Sequence, residues 1–227
     1  MRTKLQTWEV TQGCTPVGPG CRLCLAQQLL KQLGKPALFK VHCRPGALSL
    51  PLQKKKPCVF FVSPLGDLFH INVPISFLND VFSVIDKTPQ HTYHILTKRA
   101  ERLCSYFKTR DIPKNVVLGV SAENMEYGEP RVKLLRTLAG RATILFVAAE
   151  PLLGPLTDLD LTGIDWLTLA REKGAGAVAV NMEHVRELEE YCKKCGVFFL
   201  NTLQGAHGWG LDSLSLIAEK KEKINEI

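Results

Sequence analysis

Cys58-Val59-Phe60-Phe61-Val62-Ser63-Pro64-Leu65-Gly66-Asp67 is the stretch on which the fold turns. Val59 to Val62 is an unbroken apolar run, rich in β-branched and aromatic residues. A strand with one wet face would alternate apolar and polar residues. A continuous run instead points to a strand buried on both faces, as in a parallel sheet. The polar residues Ser63 and Asp67 follow at once. A buried strand ending in polar residues is the unit that recurs along the chain.

Downstream, Ser76 to Ile85 places Phe77, Val81, Val84 and Ile85 at helical spacing. His91 to Leu96 reads as the next strand, followed by Thr97-Lys98-Arg99 and a helix to about Phe107. Val116 to Val120 is another strand, with Ser121-Ala122-Glu123-Asn124 behind it. Glu129 to Leu138 is a helix, with Pro130 tolerated in its first turn. Thr143 to Val147 is a strand leading to Ala149-Glu150-Pro151, and Trp166 to Leu169 is a strand leading to Arg171-Glu172-Lys173-Gly174. Met182 to Cys195 is a helix stopped by Gly196, and Val197 to Leu200 is the last strand. Upstream, Thr7 to Thr11 is a short strand, and Leu25 to Leu33 is a helix stopped by Gly34 and Pro36. Residues 35–57 form an irregular insert, and Asp212 opens an amphipathic C-terminal helix over 212–227.

Seven strand candidates alternating with helices are the signature of a parallel sheet with right-handed crossovers. The expected class is α/β: a single domain over 1–227, built as a TIM-like parallel (β/α) barrel that is open or short of the full eight units. A doubly wound open sheet is the alternative. Against it, no Gly-rich phosphate fingerprint follows the first strand.

The chain of 227 residues is 45% hydrophobic and 22% charged, as a globular domain should be. It has no apolar run of about 18 residues, so no spanning helix and no membrane are expected. Met1 to Trp8 lacks the apolar core of a secretory signal. The expected setting is intracellular and cytoplasmic, where cysteines stay reduced. The net charge of +7 suits a polyanion such as nucleic acid, and equally serves plain solubility. Lys54-Lys55-Lys56, the densest basic run, precedes a buried strand and can be a mere edge. Aromatic residues are not interleaved with the basic ones, so no RNA-stacking motif stands out.

Eight cysteines occur. Cys14, Cys21 and Cys24 share a loop over 13–24 with Gly18, Pro19 and Gly20, at spacing C-x6-C-x2-C. Three thiolates suit a metal or a cluster better than a disulfide, because one cysteine is left over. A closed zinc site wants four ligands and would have to recruit His42, Cys43 or the distant Cys192 and Cys195. A [4Fe–4S] cluster on three cysteines leaves one iron open to an outside ligand. Cys58 and Cys104 sit among apolar residues as small core side chains. Cys192 and Cys195 make a CxxC that can bind zinc or be redox-active, although the helix needs Cys192 for packing. His70 is expected to cap or pack, and His91 and His94 flank a strand.

In a parallel barrel, the strand ends that lead into helices lie on one rim. Cys14, Ser63, Asp67, Lys98, Arg99, Ser121, Glu123, Asn124 and Glu150 would then surround one mouth, with the cysteine loop overhanging it. Some of them have a plainer reading as well. Asp67 is a helix cap, Lys98-Arg99 a solvated helix start, and Glu150-Pro151 a structural turn.

These motifs resemble the phage-associated three-cysteine proteins, a family largely without assigned function. Their barrel and cysteine loop are similar to those of radical S-adenosylmethionine enzymes. The resemblance runs from about Trp8 to Gly205. It is carried by Gly13-Cys14 with Pro19-Gly20-Cys21 and Cys24, and by Asp67-Leu68-Phe69-His70. Further matches are Thr88-Pro89-Gln90-His91-Thr92 with Leu96-Thr97-Lys98-Arg99, Gly119-Val120-Ser121 with Glu123-Asn124, and Ala149 to Pro155. It implies that Cys14, Cys21 and Cys24 hold three irons of a [4Fe–4S] cluster and that S-adenosylmethionine occupies the fourth. Reductive cleavage of that cofactor would supply a 5′-deoxyadenosyl radical for hydrogen abstraction. Asp67, Ser121, Glu123, Asn124 and Glu150 would bind cofactor or substrate. Lys98 and Arg99 would take an anionic group, and the chain's net charge of +7 points to a nucleotide or nucleic-acid substrate.

The chain also departs from the family. The common radical enzymes use C-x3-C-x2-C with an aromatic residue beside the last cysteine, whereas Leu23 and Leu25 flank Cys24 here. A Gly-Gly-Glu-Ser-Gly stretch is expected after the sixth strand, but Ala170-Arg171-Glu172-Lys173-Gly174 keeps only the Glu and the last Gly. Asn201-Thr202-Leu203-Gln204-Gly205 replaces a Lys-Gln-Trp-Gly. These changes imply the alternative of a barrel with cluster or zinc that has lost catalysis and serves as a binding or assembly subunit on nucleic acid or protein.

Overall fold

The computed structural model describes residues 4–34 and 39–203. The expected helix over 212–227 and part of the insert, 35–38, lie outside the described residues. Strand β1 is Lys4–Trp8, β2 is Thr11–Gln12, helix α1 is Leu25–Gln32, and β3 is His42–Cys43. After α2 (Ser49–Leu52) come β4 (Cys58–Val62), α3 (Ile75–Asp86), β5 (Thr92–Thr97), α4 (Ala100–Phe107) and β6 (Val116–Ser121). The chain continues through α5 (Met125–Arg136), β7 (Ile144–Ala149), β8 (Trp166–Leu169), α6 (Met182–Lys194) and β9 (Phe198–Asn201).

Seven strands form one sheet in the order β1-β4-β5-β6-β7-β8-β9, and every neighbouring pair is parallel. The order follows the chain without reversal, so the sheet has no topological switch point of the doubly wound kind. Strand β4 is buried at all five positions, as its continuous apolar sequence requires. β6 and β7 are equally buried along their whole length.

The two faces of the sheet differ. One face packs under α3, α4, α5 and α6 in a single large core that includes Phe60, Phe77, Leu103, Leu135 and Leu188. The other face has a core made by strand residues alone: Phe61, Val117, Ile144, Phe146, Ala148 and Trp166, with Leu96, Phe198 and Leu200 against them. Among the described residues no helix joins this second core, so the strands bury it against one another, which requires the sheet to curl. The ring contacts show the curl. His94 on β5 lies 5.8 Å from Trp166 on β8, centroid to centroid. Three strand steps of ~4.8 Å would separate their backbones by roughly 14 Å in a flat sheet.

Three local expectations need correction. The first strand spans Lys4–Trp8 and does not run through Thr11, because the chain turns at Glu9, where Val10 N–H donates to Trp8 O. Thr11–Gln12 instead pairs antiparallel with His42–Cys43, so the insert that reads as irregular supplies a small second sheet. The helix expected from Glu129 begins at Met125, because Asn124 Oδ1 accepts from Tyr127 N–H and caps it. Pro130 therefore lies inside the helix and not in its first turn.

Candidate functional site

All strands of the main sheet are parallel, so their C-terminal ends share one edge, and a cavity of about 210 Å³ opens there. Cys14, Cys21 and Cys24 all line it. So do Asp67 after β4, Lys98 and Arg99 after β5, Ser121 at the end of β6, Glu150 after β7, and Arg171 to Lys173 after β8. Seven of the nine residues expected around one mouth thus line one cavity, and Glu123 and Asn124 do not. All three cysteines are free thiols and partly exposed. Among the described residues, no three Cys, His, Asp or Glu side chains stand close enough to hold one metal ion between them.

The cysteine loop is seated by close backbone approach. Gly13 N–H donates to Leu65 O, and Gly13 bridges to Gly66 in the loop after β4. A Cβ on Gly20 would stand 2.5 Å from the Glu123 side chain, so only glycine lets the loop settle there. Ser63 has φ of 52°, a strained value for a residue with a side chain. It is held by its N–H on Trp8 O and by Thr11 N–H on its Oγ.

Arg99 clamps the loop from one side. Its Nη1 donates to Asp67 Oδ2 at 2.8 Å and to Cys14 Sγ at 3.4 Å, and its Nη2 donates to Thr15 O and Thr15 Oγ1. Asp67 is fully used: its Oδ1 accepts from Phe69 N–H and Thr97 Oγ1, and its Oδ2 also accepts from Lys98 N–H. Burial pushes the Cys14 thiol up, and Asp67 adds to that push, while Arg99 pulls it down. His70 extends the clamp. Its Nδ1 accepts from Asn72 N–H, which leaves the proton on Nε2 to donate to Thr15 Oγ1 at 2.9 Å. Burial, aided by Arg99, lowers the His70 pKa and keeps the ring neutral.

Glu123 lies just outside the cavity, fully buried. Lys98 Nζ contacts its Oε1, and Arg131 Nη1 lies 2.7 Å from its Oε2. Burial raises the Glu123 pKa, but the two cations outweigh it and hold the carboxyl below its ordinary range. Asn124 is the cap of α5 and does not line the cavity. Of the five residues expected to bind cofactor, Asp67, Ser121 and Glu150 face the cavity, while Glu123 and Asn124 support its wall. Lys98 and Arg99 both reach the cavity, but each is paired with a buried carboxylate.

A second attachment crosses to the far strands. Arg22 Nη2 donates to Glu172 Oε2 at 2.6 Å and to Gly176 O at 3.0 Å, and Val178 N–H is the second donor to Glu172 Oε2. Gln28 on α1 donates to Lys173 O at 2.7 Å. Glu172 Oε1 is buried with no partner among the described residues.

Sequence reading missed Arg22, Gln28, Arg131 and Thr168. Arg22 and Gln28 act across more than a hundred residues of chain, and no local pattern announces that. Arg131 sits on the buried side of α5, where a cation at an apolar position is itself a signal of a carboxylate partner. Thr168, two residues after Trp166, shares the inner face of β8 with it, and its Oγ1 donates to Glu150 Oε1 at 2.8 Å.

The remaining cysteines find plain roles. Cys58 and Cys192 are buried in the core, and burial, with Cys195 nearby, pushes Cys192 up to about 12. Cys104 donates to Leu134 O, and Cys43 sits in the small sheet against the main core. His91 is a core residue whose Nδ1 accepts from Cys58 N–H. No helix among the described residues is long and apolar enough to cross a membrane. No curated protein matches the chain. The chain belongs to the family described as Protein of unknown function (DUF5131), whose model matches residues 3–224.

Proposed function

We propose that this family member is an iron–sulfur protein of the radical S-adenosylmethionine kind, allied to the phage-associated three-cysteine proteins and acting on a nucleotide or nucleic acid. The observation that carries the reading is the placement of Cys14, Cys21 and Cys24 along one cavity at the C-terminal edge of a curled parallel sheet. In this reading the sheet, with seven strands among the described residues, is the arc of a TIM-like barrel. Active sites of such barrels lie on that edge.

The donor set fits a [4Fe–4S] cluster. A cubane takes one thiolate per iron, so its ligands need not meet at a single point, and three thiols that line one cavity without converging on one ion are compatible with it. A zinc ion would draw its ligands to one centre. Cys14, Cys21 and Cys24 would hold the cluster, which when bound would supply one-electron reduction. The chain's own residues do the rest. Arg99 donates to Cys14 Sγ and fixes the loop through Asp67. Ser121 and Glu150 present polar groups at the ends of β6 and β7. Phe61 and Leu96 line the cavity and help to keep water out.

A second reading has its own support. Lys98, Arg99 and Glu172 are all committed to internal ion pairs, so the rim offers fewer free charges to a substrate than the sequence suggests. That favours a barrel with cluster or zinc serving as a binding or assembly subunit. Anaerobic reconstitution with iron and sulfide tests both readings. The expected result is bound iron with visible thiolate-to-iron absorbance, lost in Cys→Ala variants at 14, 21 or 24. Formation of 5′-deoxyadenosine from S-adenosylmethionine under reduction then separates enzyme from subunit. Iron binding that survives all three substitutions overturns the assignment of the loop.

A further inference from the structure

Most charged groups around the cavity already have partners. Lys98 is taken by Glu123, Arg99 by Asp67, and Glu172 by Arg22. Glu150 is different. It follows the last residue of β7, and its side chain falls on the inner face of the sheet, two residues beyond the buried Ala148. Its Oε1 accepts from Thr168 Oγ1 at 2.8 Å. Its Oε2 has no partner among the described residues and is not sealed off, and the half-buried residue lines the cavity. Ser121 stands beside it, because Ser121 pairs with Ala148 in the sheet register.

We propose that Glu150 is the ligand-recognition acid of this cavity, a neutral carboxyl whose Oε2–H donates a hydrogen bond to an acceptor on a nucleobase. The inference rests on the nucleotide reading above and names the contact that reading lacks. Thr168 orients the carboxyl and leaves Oε2 as the atom directed to a ligand. The cavity wall near Glu150 is largely apolar, with Phe61, Leu96 and Pro151, and so suits a flat uncharged ring more than a phosphate. A neutral acid is the form such surroundings favour. Burial pushes the Glu150 carboxyl above its ordinary range, against the Thr168 hydrogen bond and the charge of Lys98.

The groups facing Glu150 come from each neighbouring element. Lys98 arrives from β5, already neutralised by Glu123, and the Asp67–Arg99 pair stands at the ends of β4 and β5. Beyond β8 come Arg171, Lys173 and the Arg22-bound Glu172, and the three loop thiols line the same cavity. Lys98 is the one among them that opposes the neutral acid through its charge on Glu150.

Adenosine is the probe, titrated into the metal-free full chain by equilibrium dialysis across pH. Affinity should fall as pH rises through the ionisation of Glu150. Glu150→Gln keeps an N–H donor in the same place, so it should bind adenosine with no such pH dependence. Glu150→Ala should bind about tenfold more weakly, the loss of one hydrogen bond. Isotope-edited infrared spectra across the same pH series should show a protonated carboxyl band that Glu150→Gln removes. A flat pH profile in the unsubstituted chain, equal affinity in Glu150→Ala, absence of that band, or no adenosine binding at all overturns the proposal. The two readings fail separately. A chain that takes up iron but ignores adenosine sinks only the role of Glu150. A chain that binds adenosine with the expected pH dependence but takes up no iron sinks only the iron–sulfur assignment.

Discussion

On the β4–β5 side the cysteine loop is held by Arg99, which reaches Asp67, Cys14 and Thr15 together. On the β8 side it is held by Arg22, which reaches Glu172 and Gly176 O. The Arg99 and Asp67 side chains are 12% and 5% exposed, and both Asp67 oxygens have more than one donor. Arg22 is 50% exposed, and it leaves Glu172 Oε1 without a partner among the described residues. The first attachment is a completed buried network. The second is half in water and half satisfied, so it is the side that salt weakens and the side able to let go. The loop is therefore anchored near Cys14 and latched near Cys24.

Removing the anchor gives the largest effect. Asp67→Ala deletes the acceptor of four donors and leaves Arg99 buried without its carboxylate. The expected cost is roughly 3–5 kcal/mol, as for other broken buried pairs. Urea unfolding measures it, and the Cys14 thiol should react faster with a thiol reagent in the folded state. A loss below about 1 kcal/mol, the range of exposed pairs, would mean that the anchor is no stronger than the latch.

The latch should respond less and in an asymmetric way. Arg22→Ala leaves the Glu172 carboxylate buried with only Val178 N–H, at a cost of about 1–3 kcal/mol. Adding Glu172→Gln removes the stranded charge, so the double variant should be more stable than Arg22→Ala alone. Thermal melts of the two variants decide the point. A double variant less stable than the single one would show that Glu172 is stabilising in its own right.

The same division marks what could be read from sequence. The run Cys58–Val62 and the strands after it were legible because burial on both faces leaves an unbroken apolar signature. Cys14, Asp67, Lys98, Arg99 and Glu150 were legible as one rim because parallel strands put all their C-terminal ends at one edge. What those residues do there was not. That Lys98 is taken by Glu123, with Arg131 behind it, depends on helix and strand register. The curl that brings His94 against Trp166 leaves no mark in any local window. The pairing of Thr11–Gln12 with His42–Cys43 joins two segments that look irregular on their own.

The smallest effect is a pH test of the anchor side alone. Glu9 follows β1, and its Oε2 accepts from Leu65 N–H, in the loop whose Leu65 O receives Gly13. Burial raises Glu9 from 4.5 to about 7, against the Leu65 hydrogen bond and the charge of Arg44. Between those values the folded chain holds a proton that the unfolded chain has released. Stability from this group is therefore full below pH 4.5, falls as pH rises, and is lost above about 7. Glu9→Gln keeps an acceptor for Leu65 N–H and removes the titration. The two proteins should melt alike near pH 4.5, and the variant should gain steadily up to pH 7 and then hold its lead. Discounted for solvent that still reaches the carboxylate, the gain is on the order of 1 kcal/mol. Melting curves that stay parallel across that range would place Glu9 in ordinary solvent. If the gain appears, the thiol reactivity of Cys14 should keep the pH dependence of its own ionisation and lose only a component between pH 4.5 and 7, because Leu65 bonds both Glu9 and Gly13.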